Sequence, residues 1–446
     1  MSTPFARPHT LGGWLAYIEQ VHPQTIAMGL DRVRAVKDAM ALIPAFPVIT
    51  VGGTNGKGSA CMMLEAILHH AGYKIACYTS PHLIRYNERV HIACAEASDA
   101  QLMRAFNAVE CARVQADVAL TYFEYGTLAA MWLFVDAGVD MAILEVGLGG
   151  RLDAVNAFDS DCAMVMSVAL DHMDYLGETR ETIGFEKAGI FRTGKPAICA
   201  DPEPPRTLTE YAAAIGAHLL LRGRDFDAIS APAQWKYYGP GGARHGLPWP
   251  VLRGTHQLTN AAACITALDA MRDRCPVTMN DIRSGLLTAE NPGRFQVLPG
   301  QPMIILDVAH NPHAAQALVA SLKSMPRGGR TLAVFAMLAD KNIDGVIAIL
   351  KPYISHWFAA GIGGPRGTSA AFMEQKLVDA GLSEVTRCST VATAVNAARE
   401  NAGVDDKILI VGSFHTVAEA MQALDVGRQQ MSTPDGAPNV STAGRN

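Results

Sequence analysis

The stretch PVITVGGTNGKGS, residues 47–59, decides the fold class of the first part of the chain. The run from Pro47 to Val51 has the composition of a short buried strand, and glycine and small polar residues follow from Gly52 to Ser59. After Ser59, apolar residues recur at the spacing of one helix face. A strand, a glycine-rich turn and a helix in this order indicate a phosphate-binding loop.

The residue types in this loop suit phosphate chemistry. Small residues let consecutive backbone N–H groups face phosphate oxygens, Lys57 neutralises charge, and Ser59 offers a hydroxyl to Mg²⁺. The loop departs from the common G-x-x-x-x-G-K-[ST] pattern, because Val51 occupies the first glycine position and Gly58 separates the lysine from the hydroxyl residue. The alternative is an ordinary glycine-rich turn that carries an incidental lysine.

Short apolar runs alternate with helical patterns along most of the chain, which predicts an α/β protein with parallel sheets. The predicted strands are Pro47 to Val51, Lys74 to Thr79, Met141 to Val146, Ala163 to Val168, Lys195 to Ala200, Met303 to Val308, Thr331 to Phe335, His356 to Ala359 and Lys407 to Val411. A helix is predicted over His313 to Leu322. The economical interpretation is two doubly wound domains.

Breaker residues suggest how these domains are divided. Pro292 and Gly293 interrupt a helical pattern, so we expect an N-terminal domain over residues 1–292 and a smaller C-terminal domain over residues 293–426. Residues 231–255 are rich in glycine and proline but hold four aromatic residues, which fits either a strand hairpin or a packed loop. Residues 427–446 are polar and are expected to form a disordered tail.

Composition excludes several classes of protein. The chain has 446 residues, a formal charge of −5 and no basic run, so nucleic acid is not an expected partner. The N-terminus lacks the apolar core of a secretory signal, and no apolar run reaches the roughly 18 residues that a membrane span needs, so we expect a cytoplasmic protein without a membrane partner. Nine scattered cysteines without a C-x-x-C pair indicate reduced thiols.

Polar residues stand at the ends of three predicted strands. Ser80, Glu145 and His172 each follow or end an apolar run, and the carboxyl ends of parallel strands line one ligand crevice. Together with Ser59 they would offer oxygen and imidazole ligands to Mg²⁺, which needs few protein ligands besides water and phosphate. Each residue alone has a structural alternative. Lys187, further along, has the chemistry of an ordinary solvated surface lysine.

Eight motifs in order carry a family resemblance. They are GTNGKGS (53–59), TSPH (79–82), TYFEYGT (121–127), LEVGLGGRLD (144–153), LDH (170–172), EKAGI (186–190), NPGRF (291–295) and DVAHNP (307–312). Over about Leu11 to Asp425 the chain resembles the folylpolyglutamate synthase family of Mur-ligase-like enzymes. It is most similar to the bifunctional bacterial branch, because MGLDR (28–32) and TYFE (121–124) resemble that branch's dihydropteroate pocket.

The resemblance implies a Mur-ligase-like fold in which an N-terminal P-loop ATPase domain and a smaller Rossmann-like C-terminal domain hold ATP between them. It also implies the residues that bind ATP, namely Gly56, Lys57, Gly58, Ser59, Asn260, Arg294 and Asp307. The implied magnesium ligands are Ser59, Ser80, Glu145 and His172. Lys187 resembles the family's carbamylated lysine, which reverses its surface interpretation and suggests a second cation site.

By the same resemblance, the dihydropteroate pocket comprises Gly29, Leu30, Asp31, Arg32, Thr121, Phe123, Leu152, Asp153, Ala154 and Val155. Val155 stands where the resemblance leads us to expect a threonine. The residues that we expect to take part in catalysis are Lys57, Lys187, His172 and His310. His310 and Asp307 are the candidates for accepting the proton of the incoming amine.

The implied activity is ATP-dependent addition of L-glutamate to dihydropteroate and to reduced folates in folate biosynthesis, by a monomeric ligase. A carboxylate is a poor electrophile, so ATP would first convert it to an acyl phosphate, which the glutamate amine then attacks. The enzymatic alternatives are a peptidoglycan Mur ligase and a monofunctional folylpolyglutamate synthase. A nucleotide-dependent switch is the alternative from another class of protein, and it would release ADP without consuming glutamate.

Overall fold

The structure is a computed structural model that describes residues 7–24, 26–325 and 328–426. Contacts between residues divide it into two units. The first unit holds the described residues up to Gln296 and a segment that begins at Asn311, and the second holds Val297–His310 and the described residues from Gly328 onward. The expected domain boundary after residue 292 stays a prediction, and the expected tail, residues 427–446, lies outside the described residues.

The first unit contains a large sheet, a small sheet and the helices around them. Its strands are β1 Val48–Gly52, β2 Ile75–Tyr78, β3 Val90–Ile92, β4 Ala95–Glu96, β5 Met141–Glu145, β6 Cys162–Val165, β7 Pro196–Cys199, β8 His218–Leu221, β9 Asp227–Ser230, β10 Trp235–Tyr238 and β11 Arg244–Leu247. Its helices are α1 Leu11–Val21, α2 Asp31–Ala39, α3 Lys57–His70, α4 Asp99–Ala116, α5 Tyr122–Ala137, α6 Met173–Leu176, α7 Arg180–Ala188, α8 Arg206–Ala214, α9 His256–Ala270, α10 Met279–Thr288 and α11 Pro312–Ser324. Short 3₁₀ helices occupy Tyr86–Arg89 and Ala154–Ala157.

The large sheet has the strand order β4-β3-β2-β5-β1-β6-β7-β8. Strands β2, β5, β1, β6, β7 and β8 run parallel to their neighbours, while β3 and β4 form an antiparallel edge. Alternate residues of β5 belong to opposite cores, because Ala142 and Leu144 pack on one face and Ile143 on the other. Helices therefore cover both faces of this sheet, as in a doubly wound fold.

Residues 227–247 form the small antiparallel sheet, of order β11-β10-β9. In β10, Trp235 and Tyr237 are buried while Lys236 and Tyr238 are exposed, which is the alternation of a strand with one buried face. The segment expected to be a hairpin or a packed loop thus contains the β10–β11 hairpin. Asp269 of α9 anchors it, accepting hydrogen bonds from the Tyr237 hydroxyl (3.0 Å) and from both terminal nitrogens of Arg244.

The second unit is built on a separate six-stranded sheet of order β12-β13-β17-β14-β15-β16. The strands are β12 Gln296–Leu298, β13 Met303–Asp307, β14 Thr331–Phe335, β15 His356–Ala360, β16 Val385–Cys388 and β17 Lys407–Val411. The helices are α12 Ile343–Leu350, α13 Ala370–Asp379, α14 Val391–Asn401 and α15 Phe414–Ala423, with a 3₁₀ turn at Lys351–Tyr353. Strands β13 to β17 pair in parallel, so the expected class of two doubly wound α/β folds is confirmed.

Local sequence explains where several helices begin. Thr121 caps α5 by accepting from the N–H of Glu124, whose carboxylate in turn accepts from the N–H of Thr121. Asn311 caps α11 and Pro312 occupies its first turn. These signals indicate where the helices start to within a residue or two. Strands β3, β4, β8 and β16, at or next to the sheet edges, carried no comparable signal and were not predicted.

Removal of the Asp269 carboxylate should destabilise the first unit. In Asp269→Ala, the Arg244 guanidinium loses its counterion and the Tyr237 hydroxyl loses its acceptor. Breaking one side of a buried ion pair costs about 3–5 kcal/mol, so urea unfolding should show that loss. Asp273→Ala is the control, because the Asp273 side chain is almost fully exposed. Equal midpoints for the two variants would contradict this anchoring role.

Candidate active site

The phosphate-binding loop lies between β1 and α3, in the middle of the large sheet. Gly53 and Gly56 have φ values of +139° and +88°, which other residues rarely adopt. The segment after β6 holds the loop from the other side, because the N–H groups of Thr54 and Asn55 donate to the carbonyl oxygen (2.7 Å) and Oγ (2.9 Å) of Ser167. The loop backbone is thus held in place by contacts with the neighbouring strand.

Lys57 is the first residue of α3, and its ammonium group lies over the loop. Its Nζ donates to the carbonyl oxygens of Gly53 at 3.1 Å and Thr54 at 3.3 Å. Carbonyl oxygens are weaker partners for an ammonium group than phosphate oxygens are. The side chain is therefore placed to exchange these contacts for a phosphate group.

Ser59 connects the loop to two other segments of the first unit. Its Oγ accepts from the side-chain amides of Gln257 and Asn291, both at 3.3 Å. Gln257 also accepts from the Asn260 amide at 2.9 Å. The Asn260 side chain contacts the loop directly, because a Cβ at Gly56 would lie only 2.9 Å from Asn260 Oδ1.

Glu145 ends β5 beside this loop. Its Oε2 accepts from the N–H of Ser80 at 2.9 Å, and a Cβ at Gly58 would lie 3.8 Å from its Oε1. Burial raises the pKa of Glu145, and the positive charges of Lys57 and Arg294 act in the opposite direction. The structure thus brings Glu145 and Ser80 to the side of the loop on which Gly58 lies.

These donors fit a magnesium ion. Among the described residues, no group of three or more His, Cys, Asp or Glu side chains forms a complete metal site. Mg²⁺ does not require one, because it binds through one or two carboxylates and completes its shell with water and phosphate oxygens. A buried carboxylate next to two serine residues and a phosphate loop offers the hard oxygen ligands that this ion prefers.

His172 stands after β6 with a φ of 51°, an uncommon value for a residue other than glycine. Its N–H donates to the Asp171 carboxylate at 2.9 Å. The other Asp171 oxygen accepts from Asn311 at 3.0 Å, and Asn311 also bonds the side chain of Asn55 in the loop. A chain of hydrogen bonds within the first unit therefore connects the His172 turn to the phosphate loop.

Lys187 is buried, not solvated as its sequence chemistry alone suggested. Burial lowers its pKa to about 7, and the nearby Lys57 charge adds to this effect, while Asp171 and Asp153 oppose it. At neutral pH a large share of Lys187 is therefore the uncharged amine. An uncharged amine is the nucleophilic form of lysine.

Three distant segments that were predicted to bind the pteridine substrate contact one another or their neighbours in the first unit. The N–H of Gly29 donates to Leu152 at 3.3 Å, and Arg32 makes two hydrogen bonds with Glu124, at 2.7 and 3.3 Å. The Phe123 ring lies against Gly147, where a Cβ would stand 2.6 Å from it. All ten predicted pocket residues lie on these segments, which are residues 29–32, 121–123 and 152–155.

Asp153 holds the glycine-rich turn of this pocket. Its carboxylate accepts from the N–H groups of Leu148 at 2.8 Å and Val155 at 3.0 Å. Burial raises the pKa of Asp153 to about 7, against the effect of these hydrogen bonds. Gly147 of this turn packs against the Phe123 ring of the protein itself.

Two predicted site residues belong to the second unit. Asp307 ends β13 and accepts from the N–H of Ala309 at 2.8 Å, and His310 Nδ1 lies 2.8 Å from the Val308 carbonyl oxygen. Arg294 belongs to the first unit, in the turn that starts at Asn291. The positive charge of Arg294 opposes the rise in the pKa of Glu145 that burial causes, so Arg294 lies within electrostatic range of this carboxylate.

Sequence reasoning missed two residues of this site. Gln257 and Asn291 both bond Ser59, yet neither was predicted to have a role. Gln257 precedes Asn260 by three residues on α9, so helix periodicity places both on one face. Asn291 begins the NPGRF motif whose arginine was predicted. These two signals were present, but neither identifies Ser59 as the partner.

All nine cysteines are free thiols, and only Cys94 and Cys111 are exposed. Within the part of the chain that the structure describes, none of the helices has both the length and the apolar character to cross a bilayer.

Comparison with known families and structures agrees with this geometry. The Mur ligase middle domain matches residues 51–268, and the Mur ligase glutamate ligase domain matches residues 293–414. A dihydrofolate synthase/folylpolyglutamate synthase of Escherichia coli K12 is 46% identical over 419 residues, which cover 94% of this chain and 96% of the relative.

Solved structures show the same relationship. The structure of E. coli FolC in complex with DHPP and ADP has a TM-score of 0.90 and 45% identity, and covers 96% of this chain and 100% of its own. A bifunctional folylpolyglutamate synthase/dihydrofolate synthase with Mn, AMPPNP and L-glutamate bound has a TM-score of 0.87 and 43% identity, with coverages of 95% and 100%. The chain therefore belongs to the bifunctional dihydrofolate synthase/folylpolyglutamate synthase family of Mur ligases.

Proposed function

We infer that the protein is an ATP-dependent ligase that adds L-glutamate to dihydropteroate and to reduced folates, the activities EC 6.3.2.12 and EC 6.3.2.17 of folate biosynthesis. One structural observation supports this conclusion in addition to the family relationship. The phosphate loop with Lys57, the buried carboxylate of Glu145 and the pocket around Phe123 lie next to one another in the first unit. A triphosphate and an aromatic acid can thus bind side by side.

The chemistry starts with activation of a carboxylate. The substrate carboxylate attacks the γ-phosphorus of ATP, the bond from that phosphorus to the bridging oxygen breaks, and ADP leaves with the electron pair. Lys57 and the N-terminus of α3 stabilise the negative charge of the transferring phosphoryl group. The glutamate amine then attacks the acyl phosphate, phosphate leaves, and the amine gives up a proton to form the amide.

We propose that Ser59, Ser80, Glu145 and His172 hold magnesium, which supplies charge neutralisation at the phosphates when it is bound. Gly56, Gly58, Asn260, Arg294 and Asp307 are proposed to contact ATP, in addition to Lys57 and Ser59. Gln257 and Asn291 orient the Ser59 hydroxyl through their 3.3 Å hydrogen bonds. His310 and Asp307 remain the candidates for receiving the proton of the amine.

Lys187 is proposed to be carbamylated. Its burial favours the neutral amine, which attacks carbon dioxide, and loss of a proton then gives a carbamate anion. A carbamate would replace a buried positive charge near Lys57 by a negative one, and would offer oxygen ligands to a second cation. The nearby Lys57 charge supports this proposal, because it disfavours the ammonium form of Lys187.

For the pteridine side, we propose a pocket of Gly29, Leu30, Asp31, Arg32, Thr121, Phe123, Leu152, Asp153, Ala154 and Val155. Glu124 already binds the Arg32 guanidinium, so Arg32 acts by fixing residues 27–32 as one wall of the pocket. We further propose a cytoplasmic monomer with a domain boundary after residue 292. Nine free thiols support a reducing compartment, and light scattering of the purified chain tests the monomer.

Mass analysis of products tests the activity directly. The protein should convert dihydropteroate, ATP, Mg²⁺ and isotope-labelled glutamate to labelled dihydrofolate, and tetrahydrofolate to its diglutamate, with one ADP per amide bond formed. Omission of glutamate should stop accumulation of the amide product. Steady ADP release that does not depend on glutamate, without any labelled folate, would instead identify a nucleotide switch.

Lys57→Ala should lower the rate of substrate-dependent ADP formation by at least about 100-fold, because the cation at the phosphoryl group is lost. The thermal midpoint should change little, since the Lys57 ammonium bonds only two loop carbonyl oxygens. Lys236→Ala, on the exposed face of β10, is the matched control and should keep full activity. Wild-type turnover in Lys57→Ala would remove the phosphate-loop assignment.

Lys187 should make stability increase with pH. Between about pH 7 and the ordinary lysine pKa of 10.5, the unfolded chain binds a proton at Lys187 that the folded chain does not hold. Stability therefore rises with pH across this window, by up to about 1.4 kcal/mol per pH unit relative to Lys187→Met. Urea unfolding in carbon-dioxide-free buffer at several pH values measures the difference. Parallel curves for the two proteins would contradict a lowered pKa.

A further inference from the structure

Arg89 is a buried cation of the first unit. It ends the 3₁₀ helix Tyr86–Arg89 and is 9% exposed. Its Nε donates to Nδ1 of His82 at 2.8 Å, and its guanidinium lies over the rings of Tyr86 and Tyr122, with centroid distances of 5.2 and 5.4 Å. Within the described residues no carboxylate lies at ion-pair distance from it.

Another partly buried arginine of the same unit shows the usual arrangement. Arg113 makes two 2.8 Å hydrogen bonds with the carboxylate of Glu110. A buried charge without such a partner is costly, because aromatic rings and a neutral imidazole only partly replace its hydration. An anion bound to the terminal nitrogens of Arg89 would therefore stabilise this charge. No carboxylate of the described residues lies close enough to do so.

Two buried hydroxyl groups, the phenol groups of Tyr78 and Tyr86, lie beside Arg89. The Tyr78 hydroxyl interacts with Thr127 and with Arg89 itself, whereas the Tyr86 hydroxyl has no hydrogen-bond partner among the described residues. Both point to Gly126, where a Cβ would lie 2.9 Å from the Tyr78 hydroxyl oxygen and still closer to that of Tyr86. Most buried hydroxyl groups are hydrogen-bonded, so the unpartnered Tyr86 hydroxyl next to Arg89 marks a site for a further acceptor.

The electrostatics show that these groups form one cluster. Burial raises the pKa of the Tyr78 and Tyr86 phenols, and it raises the pKa of Tyr122 to about 12. The positive charge of Arg89 lowers the pKa of all three phenols and so opposes the effect of burial. The phenols thus remain protonated donors at neutral pH. One fixed cation and two O–H donors are complementary to a carboxylate, which is an acceptor of up to four hydrogen bonds.

The cluster lies between the magnesium ligands and the pteridine pocket. On one side, Thr79 donates its N–H to the Arg89 carbonyl oxygen at 2.9 Å, and the next residue, Ser80, bonds Glu145. On the other side, the Tyr78 ring lies 5.9 Å from the Phe123 ring, which forms a wall of the pocket. A substrate that extends from the pocket toward the phosphate loop would pass this cluster.

We propose that Arg89, with the hydroxyl groups of Tyr78 and Tyr86, binds a carboxylate group of the substrates. This inference rests on the proposed function, since both dihydropteroate and L-glutamate bring carboxylates to the site. The carboxylate could belong to either molecule, because the chemistry of recognition is the same. Kinetics with each substrate varied separately distinguishes the two sources.

The first test replaces the charge and keeps the length of the side chain. Arg89→Met should raise the KM of one carboxylate substrate by about 10- to 100-fold, the effect of losing a hydrogen-bonded charge. The KM of ATP should not change. Arg89→Lys should recover part of the affinity. Arg104→Met is the control, because Arg104 also lies over an aromatic ring, Trp132, but pairs with Asp136 away from this cluster.

The second test separates ligand binding from a structural role. Tyr86→Phe removes a buried hydroxyl that has no hydrogen-bond partner among the described residues, so the thermal midpoint should stay the same or rise. The KM of the same substrate that Arg89→Met weakens should nevertheless increase several-fold. Tyr86→Phe and Arg89→Lys carry the test if Arg89→Met does not fold, because both keep the aromatic and cationic packing.

The outcomes decide between clear alternatives. A raised KM for dihydropteroate places the acid of the pteridine substrate at Arg89, and a raised KM for glutamate places the amino acid there. Unchanged KM values for both substrates in active Arg89→Lys, Arg89→Met and Tyr86→Phe would overturn the carboxylate site and leave the ligase function intact. An inactive wild-type protein would overturn the proposed function and this inference together.

Discussion

The structure depends on one geometric constraint: the parallel strands β2, β5, β1 and β6 end at the same edge of the large sheet. The pairing register places Glu145 next to Val51 and aligns Met164 with the same residue. The segments that follow these four strands therefore all begin at this one edge. The phosphate loop and the buried carboxylate stand at this edge because backbone hydrogen bonds fix where each strand ends.

Burial of charged groups at this edge sets their chemistry. Glu145, Asp153 and Lys187 are each almost fully buried, and desolvation moves the pKa of each toward its neutral form. Lys57 opposes this shift at Glu145 and adds to it at Lys187. The site is thus a set of coupled charges that phosphate, metal and carboxylate groups would complete.

Packing against glycine explains how distant segments form one pocket. Gly147 allows the Phe123 ring to lie directly on the backbone, and Gly126 leaves room for the hydroxyl groups of Tyr78 and Tyr86. A Cβ at either position would displace an aromatic ring. The aromatic rings could not approach the backbone of these two segments so closely without glycine at both positions.

The sequence alone determined the fold class, the central strands, the phosphate loop and the motifs that indicate the family, because these depend on local periodicity and on residues close together in the chain. Tertiary structure decided what depends on contacts between distant segments. It showed that Gln257 and Asn291 bond Ser59, that Lys187 is buried, and that no described carboxylate lies at ion-pair distance from the buried Arg89. Desolvation and hydrogen-bond partners are properties of the folded chain, and no local pattern in the sequence encodes them.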